Sequence, residues 1–433
     1  MRIALISPRG VGMGRDEDDR KTSELYGTLS GIGTLEELMS CPNSPLLTIA
    51  AFADDYFDEV DLIDEEYQPI EFDRHYDLVA MSFMTQQATR AYQVGDEFLR
   101  RGVPVIAGGM HPTALPEDTA RHVDALFIGE AENSWPAFMA DFQRGAMKPV
   151  YRNEGVVDMT RVPAPRYDLL RIGDYRTIPV QVSRGCPHDC EFCASTKIYG
   201  PRYRHKTVDQ VVREVQAIKK LRHSPYVYFT DDNMMVNRPF IKELLRALTP
   251  LGVRWITHCD VGIADDEELL DLAFRAGCRR VVIGFESITP ASLKLLERWK
   301  YERLAGYAAA IERIQSHGIA IWGTFIVGLD GDDTSVFQRV VDFTLQNNLY
   351  ATMLAVPTPL PGSRLYQRLK EEGRVLTEHW GSYTLWNVVI RPKNMTVEEL
   401  EQGFAWTLRQ IYAPAAVLAR STHFKDIYAR LRA

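Results

Sequence analysis

Three cysteines in the middle of the chain lie close enough together to bind one metal centre. Cys186, Cys190 and Cys193 have the spacing C-x3-C-x2-C, while the remaining cysteines are scattered at positions 41, 259 and 278. Thiolates are soft ligands that suit iron–sulfur clusters and zinc. A structural zinc site takes four ligands, and only His188 is near enough in sequence to supply the fourth. Three thiolates without a nearby fourth cysteine predict a [4Fe–4S] cluster with one iron open to a non-protein ligand. A zinc knuckle or buried thiols is the alternative.

The cysteine loop follows the first strand of a series in which strands alternate with helices. Strands are predicted at Pro179–Ser183, Tyr226–Thr230, Val253–His258, Arg280–Phe285, Ala320–Val327 and Ala351–Pro357. Helices are predicted at Val208–Leu221, Pro239–Leu248, Glu267–Ala276, Tyr301–His317 and Ser335–Asn347. Six strands are too few for a barrel of eight units and predict a partial (β/α)6 barrel. Its active site is expected at the carboxyl ends of the strands.

A second set of alternating elements occupies the first third of the chain. Buried strands are predicted at Arg2–Ser7, Glu59–Ile63, Leu78–Ser82, Val103–Ala107 and Ala125–Ile128, and helices at Gln86–Arg101 and Ala131–Phe142. Strands separated by helices indicate a parallel, doubly wound (Rossmann-like) α/β sheet. Several strands end in small or polar residues, namely Ser7 to Gly10, Ser82, Gly108-Gly109 and Gly129. This edge is therefore a candidate ligand site.

These patterns predict four parts. A Rossmann-like domain covers residues 1–147, a proline-rich linker 148–176, and the partial barrel 177–360. A small helical C-terminal cap covers 361–433, with helices at Ser363–Glu372 and Thr396–Tyr412, and could face the substrate. Three aromatic residues of the cap, Trp380, Tyr383 and Trp386, either cover the barrel mouth or belong to the core.

Composition excludes several classes of protein. A chain of 433 residues with 45% hydrophobic and 25% charged residues is ordinary globular material. Its net charge of −8 argues against a nucleic-acid partner. Six cysteines are too few for a disulfide-rich secreted protein. No window has the length of a transmembrane segment. We therefore expect a cytoplasmic protein.

The cysteine motif, with the aromatic residue Phe192 before its third cysteine and a partial barrel around it, resembles the signature of radical S-adenosylmethionine (SAM) enzymes. The resemblance implies that a [4Fe–4S] cluster on Cys186, Cys190 and Cys193 binds SAM at its open iron and cleaves it to a 5′-deoxyadenosyl radical. Downstream segments resemble the family's SAM-contacting segments: YFTDDN at 228–233, GFES at 284–287 and GTFIVGLD at 323–330. The SAM-binding positions implied are Phe192, Thr230, Asp231, Asp232, Glu286 and Gly328.

The first domain resembles the cobalamin-binding domain of the B12-dependent subclass of these enzymes. The resemblance is carried by NSPLLTIAA at 43–51, DLIDE at 61–65, MSFMTQQAT at 81–89, GGMHPT at 108–113, GEAE at 129–132 and PAPRYDLL at 163–170. Tail segments TPLPGS at 358–363 and EEGRVL at 371–376 resemble the same subclass. The cobalamin-binding positions implied are Ser82, Thr85, Gly108, Gly109, Gly129 and Glu130.

One element of many cobalamin proteins is missing. The motif D-x-H-x-x-G, whose histidine ligates cobalt, is absent, and the loop after the first strand reads PRGVGMGR at 8–15. Gly10, Gly12 and Gly14 do not fit the nicotinamide-binding pattern G-x-G-x-x-G. His111 is either a turn residue or a cobalt ligand. A cobalamin-type fold that has lost its cofactor is the alternative for the whole domain.

Two enzymatic functions follow from this resemblance. The first is a methyltransferase that uses methylcobalamin to methylate an unactivated carbon. The second is a radical cyclisation, rearrangement or oxidation by the same architecture, with or without bound cobalamin. A corrinoid- or cluster-carrying sensor is the non-enzymatic alternative. Expected partners are a small-molecule, lipid or tetrapyrrole-like substrate and a reductant such as flavodoxin or ferredoxin. No residue is identified as catalytic beyond the cofactor positions.

Overall fold

The computed structural model describes residues 1–10 and 40–431. They form two six-stranded parallel sheets, each flanked by helices, followed by a group of C-terminal helices. This confirms the predicted α/β fold class. Gly12 and Gly14, which together with Gly10 belong to the nicotinamide-binding alternative, lie outside the described residues.

The first sheet has the strand order β2-β1-β3-β4-β5-β6. The strands are β1 (Arg2–Ser7), β2 (Glu59–Asp64), β3 (Leu78–Ser82), β4 (Val105–Gly108), β5 (Ala125–Ile128) and β6 (Val150–Arg152). Helices α1 (Ser44–Ala53), α2 (Ala88–Arg100), α3 (Met110–Ala114), α4 (Pro116–Thr119) and α5 (Trp135–Gln143) connect them. All five residues of β3 are buried. Central strands covered on both faces are continuous apolar runs, which is why the sequence revealed them.

This sheet extends further along the chain than the sequence predicts. β6 pairs with β5 through Leu126 and Val150, inside the segment predicted as a linker. The strand has only three residues, and two of them are exposed. It therefore carries no hydrophobic periodicity, and the prolines around it mark a loop.

The second sheet is the partial barrel, with the order β7-β10-β11-β12-β13-β14. Its strands are β7 (Ile178–Val180), β10 (Tyr226–Phe229), β11 (Arg254–Cys259), β12 (Cys278–Glu286), β13 (Ala320–Ile326) and β14 (Ala351–Ala355). The helices between strands are α6 (Ser195–Tyr199), α7 (Val208–Leu221), α8 (Arg238–Leu248), α9 (Glu267–Arg275), α10 (Pro290–Leu296), α11 (Arg298–Arg303), α12 (Tyr307–Ser316) and α13 (Val336–Gln346). The helix predicted at 301–317 is divided between α11 and α12. The segment after β7 forms a short antiparallel pair, β8 (Ser183–Arg184) with β9 (Arg204–His205).

Three helices form the C-terminal part: α14 (Arg364–Glu371), α15 (Val397–Ile411) and α16 (Pro414–Arg430). Thr396 and Glu399 form a capping box that begins α15. The sequence analysis did not predict α16, which packs Phe424 and Ile427 against Ala320 of β13. Across the described part of the chain, no helix has the length and apolarity needed to cross a membrane.

Candidate active site

A large cavity lies between the strand ends of the first sheet and the partial barrel. Its volume is about 720 Å³. The six positions implied for cobalamin, which are Ser82, Thr85, Gly108, Gly109, Gly129 and Glu130, all line it. Gln181 after β7, Ala194 after the third cysteine and Met353 of β14 line the barrel side. The cavity is thus shared by both α/β units.

The backbone around the cavity requires glycine at the end of β4. Gly109 has a φ of +104°, and a Cβ atom there would lie 2.8 Å from the carbonyl oxygen of Phe83. Gly129, after β5, has a φ of +83°, and its N–H donates to the Thr113 hydroxyl at 3.0 Å. A side chain is therefore excluded where a large ligand would approach these strand ends. The two glycines keep these strand ends free of side chains, as the close approach of a corrin would require.

Glu130 joins the first sheet to the segment that leads into the cysteine loop. Its carboxylate accepts hydrogen bonds from Arg184 of β8 at 2.7 Å and from Arg204 of β9 at 3.0 Å. Glu132 pairs with the same Arg184 at 2.5 Å. The side chains of Glu130 and both arginines are less than a tenth exposed. Because only Gly185 separates Arg184 from Cys186, this buried ion network anchors the chain next to the first cysteine.

The cysteine loop begins with a backbone conformation that only glycine adopts easily. Gly185 has a φ of +87°, and a Cβ atom there would lie 2.3 Å from the carbonyl oxygen of Arg202. The thiol of Cys186 receives a hydrogen bond from the backbone N–H of His188, and burial raises its pKa to about 11. Cysteines must lose their protons to bind iron, so the loaded cluster replaces these protons.

All six cysteines lie in the described residues, and none is disulfide-bonded. Within those residues, no three His, Cys, Asp or Glu side chains are arranged around a single metal ion. A [4Fe–4S] cluster does not need such convergence, because each cysteine binds a different iron. The donor set of Cys186, Cys190 and Cys193 on one loop is compatible with such a cluster.

A buried ion pair lies next to the second cysteine. Lys300 of α11 donates to Glu286 at the end of β12 at 2.6 Å. Burial alone would lower the pKa of Lys300, but the charges of Glu286 and Cys190 raise it above its ordinary value. Lys300 also lies over the ring of Phe192, 6.0 Å from its centre. The pair thus connects two of the implied SAM positions with the cysteine loop.

Three consecutive residues follow β10, and each has a different environment. Asp231 accepts hydrogen bonds from the backbone of Val182 and Ser183 and from the Ser183 hydroxyl. Asp232 accepts from the Gly185 backbone and the Ser195 side chain, while burial raises its pKa. Both carboxylates therefore position the two ends of the cysteine loop. The hydroxyl of Thr230 is buried and has no hydrogen-bond partner, so it is available to a ligand.

Gly328, after β13, is the last implied SAM position. Its φ is +92°, and its N–H donates to the buried carboxylate of Asp332 at 3.2 Å. Leu400 of α15 lies only 2.7 Å from where a Cβ atom would be. The residue thus allows a C-terminal helix to pack closely against the barrel.

The tail after the barrel contacts the cysteine loop directly. Arg368 of α14 pairs with Glu191 at 2.6 Å and with Asp330 at 2.7 Å. Phe192 packs with a tail cluster that includes Tyr383. Tyr383 and Trp386 line the cavity, and Trp380 instead donates from its indole N–H to Asp118 at 2.9 Å. The C-terminal part therefore faces the cavity. Tyr383 and Trp386 line the cavity, as expected for residues that cover the barrel mouth, and Trp380 and Tyr383 also belong to a hydrophobic cluster.

His111 does not line the cavity. Its side chain is fully buried, and its Nε2 lies 2.8 Å from the Tyr92 hydroxyl. Burial lowers the pKa of His111 to about 4. The histidine is thus neutral and belongs to the packing between α2, α3 and the tail.

Sequence reasoning missed Lys300, Arg184 and Arg368. Lys300 lies in the charged stretch RWKYER, where nothing marks one cation as buried. Arg184 could have been noticed, because it stands directly before the glycine that opens the cysteine motif. The partner of Arg368 is 177 residues away in sequence, so no local pattern reveals it.

Comparison with known families divides the chain in the same way as the fold. A model of the radical SAM superfamily matches residues 180–344, and a B12-binding domain model matches residues 38–139. A domain of unknown function matches residues 363–433.

Two curated relatives come from Chlorobaculum tepidum. Bacteriochlorophyllide d C-12(1)-methyltransferase is 33% identical, covering 87% of this chain and 83% of the relative. Bacteriochlorophyllide d C-8(2)-methyltransferase is 26% identical, covering 86% and 89%. Among solved structures, the radical SAM methyltransferase TsrM from Kitasatospora setae, with cobalamin and a [4Fe–4S] cluster bound, has a TM-score of 0.66 at 16% identity. The match covers 95% of this chain and 85% of that one.

Proposed function

This chain belongs to the cobalamin-dependent radical SAM enzymes and is a C-methyltransferase of that family, and we propose that it methylates an unactivated carbon of a tetrapyrrole. Its cofactors are a [4Fe–4S] cluster, SAM and cobalamin. The substrate class is supported by the similarity to the two methyltransferases that act on bacteriochlorophyllide d.

One observation supports the proposal of methyl transfer through cobalamin. The cavity of about 720 Å³ is lined by the strand-end loops of the first sheet and by barrel residues that include Ala194, next to Cys193. Methyl transfer through cobalamin requires the acceptor carbon to lie near both the methyl carrier and the radical source. A cavity shared by the two domains meets this requirement.

We assign roles to residues as follows. Cys186, Cys190 and Cys193 hold the cluster, which supplies the electron that cleaves SAM, while cobalamin supplies the methyl group. Thr230 offers its unpartnered hydroxyl to SAM, and Glu286 with Lys300 presents a paired carboxylate and ammonium beside Cys190. Asp231 and Asp232 are positioning residues for the cysteine loop, since their oxygens already accept hydrogen bonds from it or its flanks.

The cobalamin positions divide into two groups. Gly108, Gly109 and Gly129 let the corrin approach the strand ends, and Ser82 and Thr85 line the same cavity with hydroxyl groups. Glu130 also lines it, but its carboxylate pairs with Arg184 and Arg204, so we assign it chiefly to positioning. No histidine is assigned to cobalt, since His111 is buried away from the cavity.

The test is anaerobic reconstitution with iron, sulfide, cobalamin, SAM and a reductant, with bacteriochlorophyllide d and a hopanoid offered as substrates. A mass increase of one methylene on the tetrapyrrole, with 5′-deoxyadenosine and S-adenosylhomocysteine, is the expected result. Deoxyadenosine with a modified but unmethylated substrate would instead establish the cyclisation or oxidation alternative. Protein that takes up no corrin would disprove the cobalamin role.

We further propose a reductant such as flavodoxin or ferredoxin. We also propose that the protein has no nucleic-acid partner, because its net charge of −8 disfavours binding to a polyanion. The proposed location is the cytoplasm, which is supported by six cysteines without a disulfide bond among them. Reduction of the reconstituted cluster by purified flavodoxin, followed by electron paramagnetic resonance, tests the first proposal.

A further inference from the structure

We propose that tail residues 383–386 form the wall that selects the substrate, and that this wall selects a flat, apolar ring system over saturated or polar molecules. The four residues, Tyr383, Thr384, Leu385 and Trp386, are consecutive, and all line the cavity. The inference rests on the proposed function, because it takes the cavity to be where the acceptor carbon meets both cofactors.

The position of this wall places it between the two cofactor sites. The turn at Trp380–Ser382 packs against the turn at Thr85–Gln87, which belongs to the implied cobalamin loop. On the other side, Tyr383 packs in one cluster with Phe192 of the cysteine loop. A substrate that reaches both cofactors must therefore lie against the segment that spans them.

The backbone of the wall is held in one conformation. Leu385 has a φ of +75°, which a residue with a branched side chain adopts only when its surroundings enforce it. Its carbonyl oxygen accepts from the N–H of Val356, just after β14, at 2.8 Å. The Thr384 hydroxyl accepts from the N–H groups of Trp386 and Asn387 at 3.3 and 3.2 Å. This strained turn is therefore fixed to the last barrel strand.

The chemistry of the wall is apolar and aromatic. Tyr383 is only 1% exposed, and the Thr384 hydroxyl oxygen accepts from two backbone N–H groups, so the wall presents chiefly the Trp386 ring and the Leu385 side chain to a ligand. Met353, Ile198 and Leu360 continue the apolar lining. Aromatic faces stack on flat conjugated rings, and an apolar wall cannot pair the charges of a polar substrate. A planar macrocycle is the chemistry that fits.

The experiment measures ligand binding by the cluster- and cobalamin-loaded protein without reductant, so that turnover is not needed. The probes are a magnesium-free chlorin carboxylate, which is flat, and a saturated pentacyclic triterpene. Leu385→Ala and Leu385→Gly both remove the side chain, and only the glycine also relieves the backbone strain. Leu376→Ala is the matched control, because Leu376 lies in the same tail but is 45% exposed and does not line the cavity.

We expect both Leu385 variants to weaken chlorin binding about tenfold or more, with unchanged cluster and corrin absorption, while Leu376→Ala binds as the wild type does. Equal binding by the wild type and both Leu385 variants overturns the inference, and so does tighter binding of the triterpene than of the chlorin. If the wild type binds the chlorin and cleaves SAM but transfers no methyl group, the proposed function fails. The comparison of dissociation constants then still decides the role of the wall.

Discussion

Replacing Glu130 with alanine should destabilise the contact between the two α/β units. The carboxylate accepts from Arg184 at 2.7 Å and from Arg204 at 3.0 Å, and all three side chains are buried. Removing one partner of a buried ion pair costs about 3–5 kcal/mol, because the remaining charge is left uncompensated. Arg184 keeps Glu132, and Arg204 keeps the carbonyl oxygens of Val157 and Tyr199. We therefore expect about 3 kcal/mol, the lower end of this range.

Two further variants separate charge from shape. Glu130→Gln keeps the size and one acceptor oxygen, so a loss of about 1–2 kcal/mol is expected. The double variant Glu130→Ala with Arg204→Met removes the uncompensated cation and should regain at least about 1 kcal/mol over Glu130→Ala alone.

Urea unfolding followed by tryptophan fluorescence and circular dichroism measures these differences. A protein with two domains need not unfold in one step, so the first transition is the relevant one. A Glu130→Ala protein within about 0.5 kcal/mol of the wild type would refute the reasoning, as would a double variant less stable than the single one. Corrin titration of Glu130→Gln tests separately whether the carboxylate also contributes to cobalamin binding.

Three other outcomes are expected. Cys190→Ala should abolish the cluster absorption at about 400 nm. Cys278→Ala, which alters a buried thiol in β12, should keep this absorption. Iron retained by Cys190→Ala would contradict the cluster assignment. Gly185→Ala should lose the cluster, because its Cβ atom would lie 2.3 Å from the carbonyl oxygen of Arg202. Gly200→Ala should keep the cluster, because Gly200 has a similar φ of +71° but no atom within contact distance of a Cβ. Equal iron contents in the two variants would show that the clash is relieved. Since burial lowers the pKa of His111 to about 4, the folded state binds fewer protons than the unfolded chain, and stability is lost as the pH falls from about 6.5 towards 4. His111→Gln should remove about 2 kcal/mol of this loss at pH 5, measured from urea midpoints at pH 7.5 and 5, and parallel pH profiles would rule the contribution out.

The sequence predicted the elements whose patterns are local and strong. The strand Ala125–Ile128 and the helix Val208–Leu221 have the predicted bounds. A fully buried strand and a capped amphipathic helix can be recognised from the pattern of their own residues. Helix α16 escaped prediction because it buries few residues, which are Arg420, Phe424 and Ile427. Strand β6 is stabilised by its pairing with β5, which sequence periodicity does not show.

For the site, sequence motifs identify candidate residues by type and spacing, and their roles stay predictions. The cysteines stand on one loop, and the six positions carried over for cobalamin all line one cavity. Motifs could not predict the partners that fix these loops, such as Lys300 for Glu286 and Arg184 for Glu130. These partners depend on packing between distant segments, and a charged residue looks the same in sequence whether it is buried or exposed.

The ion network around Glu130 links the strand-end loop of the first sheet to the segment that precedes the cysteine loop. Arg184 and Cys186 are two residues apart, so their Cα atoms can be separated by at most about 7 Å. If corrin binding shifts the Glu130 loop, we expect the shift to reach the first cysteine through Arg184. The occupancy of the methyl-carrier site is thus expected to set the freedom of movement of the cluster ligands, and the affinity for SAM should change when the protein is loaded with cobalamin.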